Sequence, residues 1–279
     1  MDCKLIAFDL DGTLLDNAKR LPEENLDALR LAAERGVHIV PATGRILRGV
    51  PEELKALPFI RYYILSNGAV VFDTQEEKTL YRGDIPLDLA LRIMDHLDTL
   101  PVIYDCYQND VGWISQNAYE QVPVYFAREP EIRKLVDKLR IRVPDLKETL
   151  REHGEPLQKI QFYFKPEDNA LRLETIARFS EIFPEICATT SVSNNVELNS
   201  VRAGKGNGLL ALCEALGVDP ADCLSFGDGT NDISLLRAAG RGVAMANADE
   251  KVKAAADAVC ESNVDFGVAR EIRRVLMGR

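Results

Sequence analysis

The sequence lacks the features that would place a protein in a membrane, in an export pathway or on a nucleic acid. No apolar run among its 279 residues approaches the ~20 residues that a membrane-spanning helix needs. The N-terminal segment lacks the basic and apolar regions of a secretory signal peptide. With 34 Lys and Arg against 44 Asp and Glu, the net charge of −10 also argues against a protein that coats nucleic acid or an anionic membrane.

Cysteine and histidine are scarce and scattered. The six cysteines form no CxxC pair, and the three histidines join them in no cluster with the spacing of a zinc site. Free thiols are the usual state of cysteine in the reducing cytosol. We therefore expect a cytoplasmic protein with neither disulfides nor a zinc site.

What the sequence does contain at both ends of the chain is an alternation of apolar runs and helical patterns. Residues 4–8, 37–42 and 62–65 are apolar runs, and residues 22–35 have the period and end signals of a helix. This order predicts βαβ units in a parallel sheet. Each predicted strand ends in polar or glycine residues, and open α/β sheets bind their ligands at those carboxyl ends.

The middle of the chain has a different pattern. Residues 101–115 read as a hairpin around the turn Asn109-Asp110, which indicates antiparallel pairing, and helical patterns flank it. The α/β pattern returns with a helix at 205–216 and a strand at 223–226. We therefore predict an α/β fold, with a doubly wound, Rossmann-like parallel-sheet core formed by residues 1–83 and 191–279 and an inserted α+β domain at 84–190.

Polar residues fall at the predicted strand ends and at one helix start. Asp9, Asp228 and Asp232 would converge if their strands are neighbours, and grouped carboxylates without His or Cys suit Mg²⁺. Asp9 could attack phosphorus as a nucleophile, while Asp11 could turn inward as a general acid and base. Four clusters carry these residues: 9–13, 43–45, 204–206 and 227–232.

These clusters resemble the four motifs of the haloacid dehalogenase superfamily. The matching residues are Asp9-Leu10-Asp11-Gly12-Thr13, Thr43-Gly44-Arg45, Lys205, and Gly-Asp-Gly-Thr-Asn-Asp at 227–232. An insert between the second and third motifs is similar to the Cof-type branch, which has a C2 cap of the IIB kind. The segments 66–69 and 242–248 also resemble that branch.

The resemblance implies a role for each matching residue. Asp9 would be the nucleophile and a Mg²⁺ ligand, and Asp11 would be the acid and base and give its backbone carbonyl to the metal. Asp228 would complete the protein ligands, and Asp232 would support them without touching the metal. Phosphoryl oxygens would be bound by Leu10, Thr43, Gly44, Lys205 and Asn231.

We therefore predict a Mg²⁺-dependent phosphatase that acts on small phosphorylated metabolites, with sugar phosphates inferred from the cap type. It would have no nucleic-acid or membrane partner and would be a monomer or homodimer. Aspartate at position 11 favours a phosphatase or a phosphomutase over other activities of the superfamily. A sugar phosphomutase and a weakly hydrolytic metabolite-binding or regulatory protein are the alternatives. Arg45 could contact substrate or could simply be an exposed residue at a helix start.

Overall fold

The computed structural model describes residues 3–127, 130–190 and 194–278. The chain divides into two compact units, which we call the core unit (residues 1–82 and 203–279) and the inserted unit (residues 83–202). No helix in the described ranges is long and apolar enough to cross a membrane.

The strands and helices of the core unit come from both ends of the chain. Its first part contains β1 (Leu5–Phe8), α1 (Glu23–Ala33), β2 (His38–Pro41), α2 (Glu52–Lys55), β3 (Tyr62–Leu65), β4 (Val70–Asp73) and β5 (Lys78–Arg82). The inserted unit contains α3 (Leu87–Leu97), β6 (Ile103–Gln108), β7 (Val111–Ser115), α4 (Gln116–Tyr125), α5 (Pro130–Leu139), β8 (Arg140–Val143), α6 (Leu146–His153), β9 (Lys159–Tyr163), α7 (Asn169–Ile182), β10 (Ile186–Thr189) and β11 (Asn195–Ser200). The core unit resumes with α8 (Lys205–Leu216), β12 (Cys223–Gly227), α9 (Ile233–Ala238), β13 (Arg241–Ala244), α10 (Glu250–Lys253), β14 (Ala258–Val259) and α11 (Gly267–Met277).

The core unit is built on a five-stranded parallel sheet in the order β14-β13-β12-β1-β2. All four residues of β1 are buried, as expected for a parallel strand covered on both faces. Ile6 and Phe8 pack in a cluster with α1 and α11, whereas Leu5 and Ala7 pack in another with α8 and α9. The sheet is therefore doubly wound, and the predicted fold class is confirmed.

Strand β3 has partners that were not predicted. It runs parallel to the end of β2 at the bridge between Ala42 and Ile64, but its ladder is with β4 in an antiparallel sheet, β3-β4-β5. The turn Ser66–Gly68 reverses the chain directly after β3, so that β4 returns alongside it. Neither β4 nor β5 was predicted from the sequence.

The inserted unit contains a six-stranded sheet in the order β10-β11-β9-β6-β7-β8. Every neighbouring pair is antiparallel except β7 with β8. The hairpin predicted around Asn109-Asp110 is present as β6 and β7. Side chains alternate between two faces of the sheet. Ile160 and Phe162 pack in an apolar cluster with α3 and α7, while Lys159 and Gln161 lie on the opposite face.

The structure divides the chain at a different place from the sequence reading. Strand β11 pairs with β9 and β10, so the inserted unit continues to residue 202 rather than ending at 190. The expected boundary adjoins residues 191–193, which lie outside the described ranges. A strand that follows a turn and pairs with strands of the same unit cannot be assigned from local patterns alone.

Candidate active site

Three carboxylates meet at one edge of the parallel sheet. Asp9 directly follows β1, and Asp228 follows the neighbouring strand β12. The two strands are paired in parallel with Phe8 opposite Phe226, so their carboxyl ends lie side by side. With Asp232, these residues each offer one oxygen atom, and the three atoms lie within 4.8 Å of one another. Carboxylates held this close repel one another unless a cation lies between them.

Lys205 supplies part of the balancing charge. Its side chain is completely buried, and its Nζ lies 2.5 Å from Asp9 Oδ1 and 2.5 Å from Asp232 Oδ1. A buried ammonium group requires such partners, because its transfer from water is otherwise very costly. One lysine against three carboxylates leaves an excess of negative charge. The oxygen-only donor set therefore fits a hard divalent cation.

Asp232 uses both of its oxygens on protein donors. Oδ1 accepts from Lys205, while Oδ2 accepts from the backbone N–H groups of Asp228 at 3.0 Å and Gly229 at 2.9 Å. These contacts fix the loop after β12 and the direction of the lysine. The carboxylate of Asp232 is thus committed to organising the site.

The loop that follows Asp9 packs closely against Asp228. The Thr13 hydroxyl donates to Asp228 Oδ1 at 2.6 Å, and Asn247 Nδ2 donates to the backbone oxygen of Gly12 at 2.9 Å. Gly12 has a φ of +88°, and a Cβ at this position would lie 2.3 Å from Asp228 Oδ2. Thr13 and Asn247 have no predicted role, although both lie in the segments that carried the family resemblance.

Asp11 is held by two cations. The Arg45 guanidinium binds it in a bidentate manner, with Nε 2.9 Å from Oδ2 and Nη2 2.7 Å from Oδ1, and Lys19 Nζ lies 2.8 Å from Oδ1. Burial would raise the pKa of Asp11, but the hydrogen bonds and charges of Arg45 and Lys19 outweigh it and hold the pKa below its ordinary value. Arg45 is therefore a partner of Asp11 and not merely an exposed residue at a helix start.

The residues predicted to bind phosphoryl oxygens differ in what they can offer. Leu10 has a fully buried side chain in the core, so only its backbone can face a ligand. Thr43 is also buried, and its Oγ accepts from the Arg45 N–H. Asn231 Nδ2 donates to Asn67 Oδ1 at 3.1 Å. Asn67 is a further residue that the sequence reading left without a role.

Burial determines the proton affinity of the acidic cluster. It raises the pKa of Asp9 to about 7, against the lowering effect of Lys205, and Asp232 raises it further. Burial likewise raises the pKa of Asp228 to about 6, against the hydrogen bond from Thr13. A divalent cation would reverse both shifts by stabilising the ionised carboxylates.

Comparison with known proteins identifies the family of the chain. The family model of haloacid dehalogenase-like hydrolases matches residues 6–272, nearly the whole chain. The chain belongs to this family. In this haloacid dehalogenase-like hydrolase, Asp9 and Asp228 follow two neighbouring strands and belong to the first and fourth sequence motifs.

Curated relatives of this haloacid dehalogenase-like hydrolase are phosphatases. The 5-amino-6-(5-phospho-D-ribitylamino)uracil phosphatase YcsE of Bacillus subtilis is 30% identical over 275 residues, which are 98% of this chain and 96% of the relative. The phosphatase YwpJ of the same organism is 32% identical over 290 residues, covering 98% and 100%. A solved subclass IIB sugar phosphatase has a TM-score of 0.79 and 25% identity, covering 98% of this chain and 99% of its own. The predicted family and phosphatase class are confirmed.

Replacing Gly12 tests the close approach of the loop to Asp228. We expect Gly12→Ala to lower the free energy of unfolding by about 2 kcal/mol or more, because strain at positive φ adds to a clash with the carboxylate. Gly36→Ala is the matched control, since Gly36 has a φ of +78° with nothing within 4 Å of its added Cβ. It should cost only about 1 kcal/mol. Equal losses in urea unfolding of the two variants would contradict the close approach.

A second prediction concerns pH and divalent cations. Because the pKa values of Asp9 and Asp228 are raised, the ionised cluster costs the metal-free protein stability as pH rises from about 4 through 7. A divalent cation competes with the bound protons. The rise in melting temperature on adding the cation should therefore be at least twice as large at about pH 8 as at about pH 5.5. Asp228→Asn should abolish most of it, whereas Asp27→Asn, an exposed residue, should not. If the rise in melting temperature does not depend on pH and is kept in Asp228→Asn, the cation binds elsewhere.

Proposed function

We propose that this protein is a cytoplasmic, Mg²⁺-dependent phosphomonoesterase that forms a covalent aspartyl-phosphate on Asp9. The contact between buried Lys205 and both Asp9 and Asp232 carries this proposal. A lysine so placed keeps the Asp9 carboxylate oriented and partly offsets the negative charge that would repel a phosphate ester. Asp228 beside them completes an acidic oxygen cluster that suits Mg²⁺.

The reaction has two transfers of the phosphoryl group. First, a carboxylate oxygen of Asp9 attacks phosphorus and the bond to the ester oxygen breaks, while Asp11 donates a proton to the departing alkoxide. The products of this step are the free alcohol and the aspartyl-phosphate. Second, Asp11 takes a proton from a water molecule, whose oxygen attacks phosphorus and releases inorganic phosphate and the Asp9 carboxylate.

The protein groups around Asp9 would hold the phosphoryl oxygens during both transfers. Lys205 brings a positive charge, and positioned donors of this kind provide most of the stabilisation in phosphoryl transfer. The metal ligands would be the carboxylates of Asp9 and Asp228 and the backbone carbonyl of Asp11. Bound Mg²⁺ supplies positive charge to the phosphoryl oxygens. The further phosphate-binding groups that we assign are the backbone of Leu10 and Gly44, the Thr43 hydroxyl and the Asn231 amide.

Asp11 must change partners to act as an acid. Its carboxylate accepts hydrogen bonds from Arg45 and Lys19, and these cations favour the ionised form. A carboxylate in this state cannot donate a proton. We assign to Asp11 a resting position on Arg45 and a working position near the leaving oxygen, with the proton taken up on leaving the guanidinium group.

The inserted unit supports a polar substrate such as a sugar phosphate, and we propose that it acts as the cap that selects the leaving group. One face of its sheet carries buried polar side chains, including Gln161 and the carboxylates of Asp105 and Glu197, each of which is ion-paired with a buried cationic side chain. Gln161 Nε2 and the Tyr163 hydroxyl both donate to Asp105. Amide and carboxylate groups on a rigid sheet are suited to hydroxyl-rich molecules. The relatives that act on a ribityl phosphate and on sugar phosphates point to the same class.

The activity is tested with a panel of phosphorylated metabolites in the presence of Mg²⁺ or of a chelator. We expect phosphate release that needs Mg²⁺, is greatest with sugar or polyol phosphates, and is abolished by Asp9→Asn because the amide cannot attack phosphorus. Asp27→Asn is the matched control and should keep full activity. Substantial release by Asp9→Asn would contradict the covalent route, and interconversion of isomeric sugar phosphates without release would favour a mutase.

The role of Asp11 predicts a dependence on the leaving group. Asp11→Asn should lower kcat/KM for an alkyl phosphate by about 10² or more, since the alkoxide then leaves without a proton. For 4-nitrophenyl phosphate the loss should be less than about tenfold, because nitrophenolate is a stable anion and kcat/KM reports only the first transfer. Equal losses for the two esters would remove Asp11 from the role of general acid.

A further inference from the structure

Three successive residues of the core unit have backbone conformations that side chains disfavour. Ser66, Asn67 and Gly68 have φ angles of 51°, 58° and 90° in the turn between β3 and β4. A non-glycine residue in this left-handed region costs about 1 kcal/mol or more and persists only where its surroundings enforce it. The contacts of the middle residue, Asn67, supply that enforcement.

Asn67 joins three separate parts of the candidate active site. Its backbone N–H donates to the oxygen of Thr43 at 3.0 Å, and its backbone oxygen accepts from the N–H of Gly204 at 2.8 Å. Its side-chain Oδ1 accepts from Asn231 Nδ2 at 3.1 Å. These partners belong to the second, third and fourth motif clusters, which are far apart in the sequence. Asn67 itself is buried.

The side chain of Asn67 also explains why position 44 is glycine. A Cβ on Gly44 would lie 2.8 Å from Asn67 Oδ1, closer than real side chains approach. The amide of Asn67 therefore occupies the space beside the second motif. A residue that fits so closely there can keep its amide in one orientation.

The contact with Asn231 has a chemical consequence. An amide NH₂ group has two N–H bonds that point in different directions. The bond from Asn231 to Asn67 uses one of them and sets the plane of the amide, and the second N–H is left to donate to a phosphoryl oxygen. Without the acceptor on Asn67, the Asn231 amide could rotate and present its oxygen to the anionic phosphate.

We propose that Asn67 is a positioning residue that orients the Asn231 amide toward the phosphoryl group. This inference rests on the proposed function, because it takes Asn231 as one of the groups that bind the phosphoryl oxygens. Asn67 acts through its acceptor oxygen, while its left-handed backbone holds the Thr43 and Gly204 segments at fixed positions. The role needs both a side-chain amide and tolerance of positive φ, which asparagine combines better than most residues.

The test uses Asn67→Gly, which removes the amide but keeps a backbone suited to φ of 58°. Glu77→Gly is the control, because Glu77 is an exposed residue of the same unit with a φ of 49°. The measurements are kcat/KM for the best ester of the panel, the inhibition constant of inorganic phosphate and the urea unfolding free energy. The same measurements on Asn231→Ala and on the double variant complete a double-mutant cycle.

We expect Asn67→Gly and Asn231→Ala each to lower kcat/KM about tenfold, the scale of one oriented hydrogen bond. The double variant should lose about tenfold in total, because the two residues act as one unit. The inhibition constant of phosphate should rise in all three, while Glu77→Gly keeps the wild-type values. Losses that multiply to about a hundredfold, or an unchanged phosphate inhibition constant in a folded Asn67→Gly protein, would overturn the inference.

The outcome also separates this inference from the proposed function. If the wild-type protein is active and Asp9→Asn is inactive, the proposed phosphatase function stands whatever the result for Asn67→Gly. A wild-type protein that releases no phosphate from any ester would overturn the proposed function and the role of Asn67 with it.

Discussion

The structure depends most on the burial of one ammonium group between two carboxylates. Lys205 is completely buried, with Asp9 on one side and Asp232 on the other. Removing the lysine would leave two buried carboxylates without their counter-charge, which typically costs several kcal/mol. Because the three residues come from the segment directly after β1, the start of α8 and the loop after β12, this contact ties the two ends of the chain together.

The surrounding backbone serves this arrangement by close approach. Gly12 lets the loop after β1 reach Asp228, and Thr13 fixes that carboxylate with a hydrogen bond. The strained turn at Asn67 performs the corresponding task on the other side, where it contacts Thr43 and Asn231. Backbone conformations with a positive φ lower the stability of the segment that contains them. They occur where the geometry of a site requires them.

The sequence was most informative where chemistry requires particular residues at fixed spacing. The parallel sheet followed from the alternation of apolar runs and helical patterns, and the family from the resemblance of the four motifs. The convergence of Asp9 with Asp228 followed from polar residues placed directly after apolar strands. The sequence was less informative where long-range pairing decides. Asn247 contacts Gly12 across 235 positions, and β11 joins a sheet whose other strands precede it, so local patterns carry no sign of either.

The antiparallel partners of β3 were missed for a similar reason. An apolar run of four residues is compatible with a parallel neighbour, an antiparallel neighbour or one of each, and the turn that follows it adds the antiparallel one. Ser66-Asn67-Gly68 contains the turn residues, but its left-handed conformation is stabilised by residues from distant motifs. The proposed cytoplasmic location rests on the scattered cysteines, whereas the proposed metal and the proposed roles of the individual site residues rest on the chemistry of the site.

Direct detection of the covalent intermediate tests the central claim most directly. The protein would be mixed with its best ester and Mg²⁺, quenched in acid during turnover, digested and analysed by mass spectrometry. The account predicts one added phosphoryl group on the peptide that contains Asp9, at the side chain of that residue. Phosphorylation of a different residue would contradict it. So would sustained turnover of 4-nitrophenyl phosphate by Asp11→Asn with no phosphorylated peptide, because the second transfer is then slowed while the first is nearly unchanged.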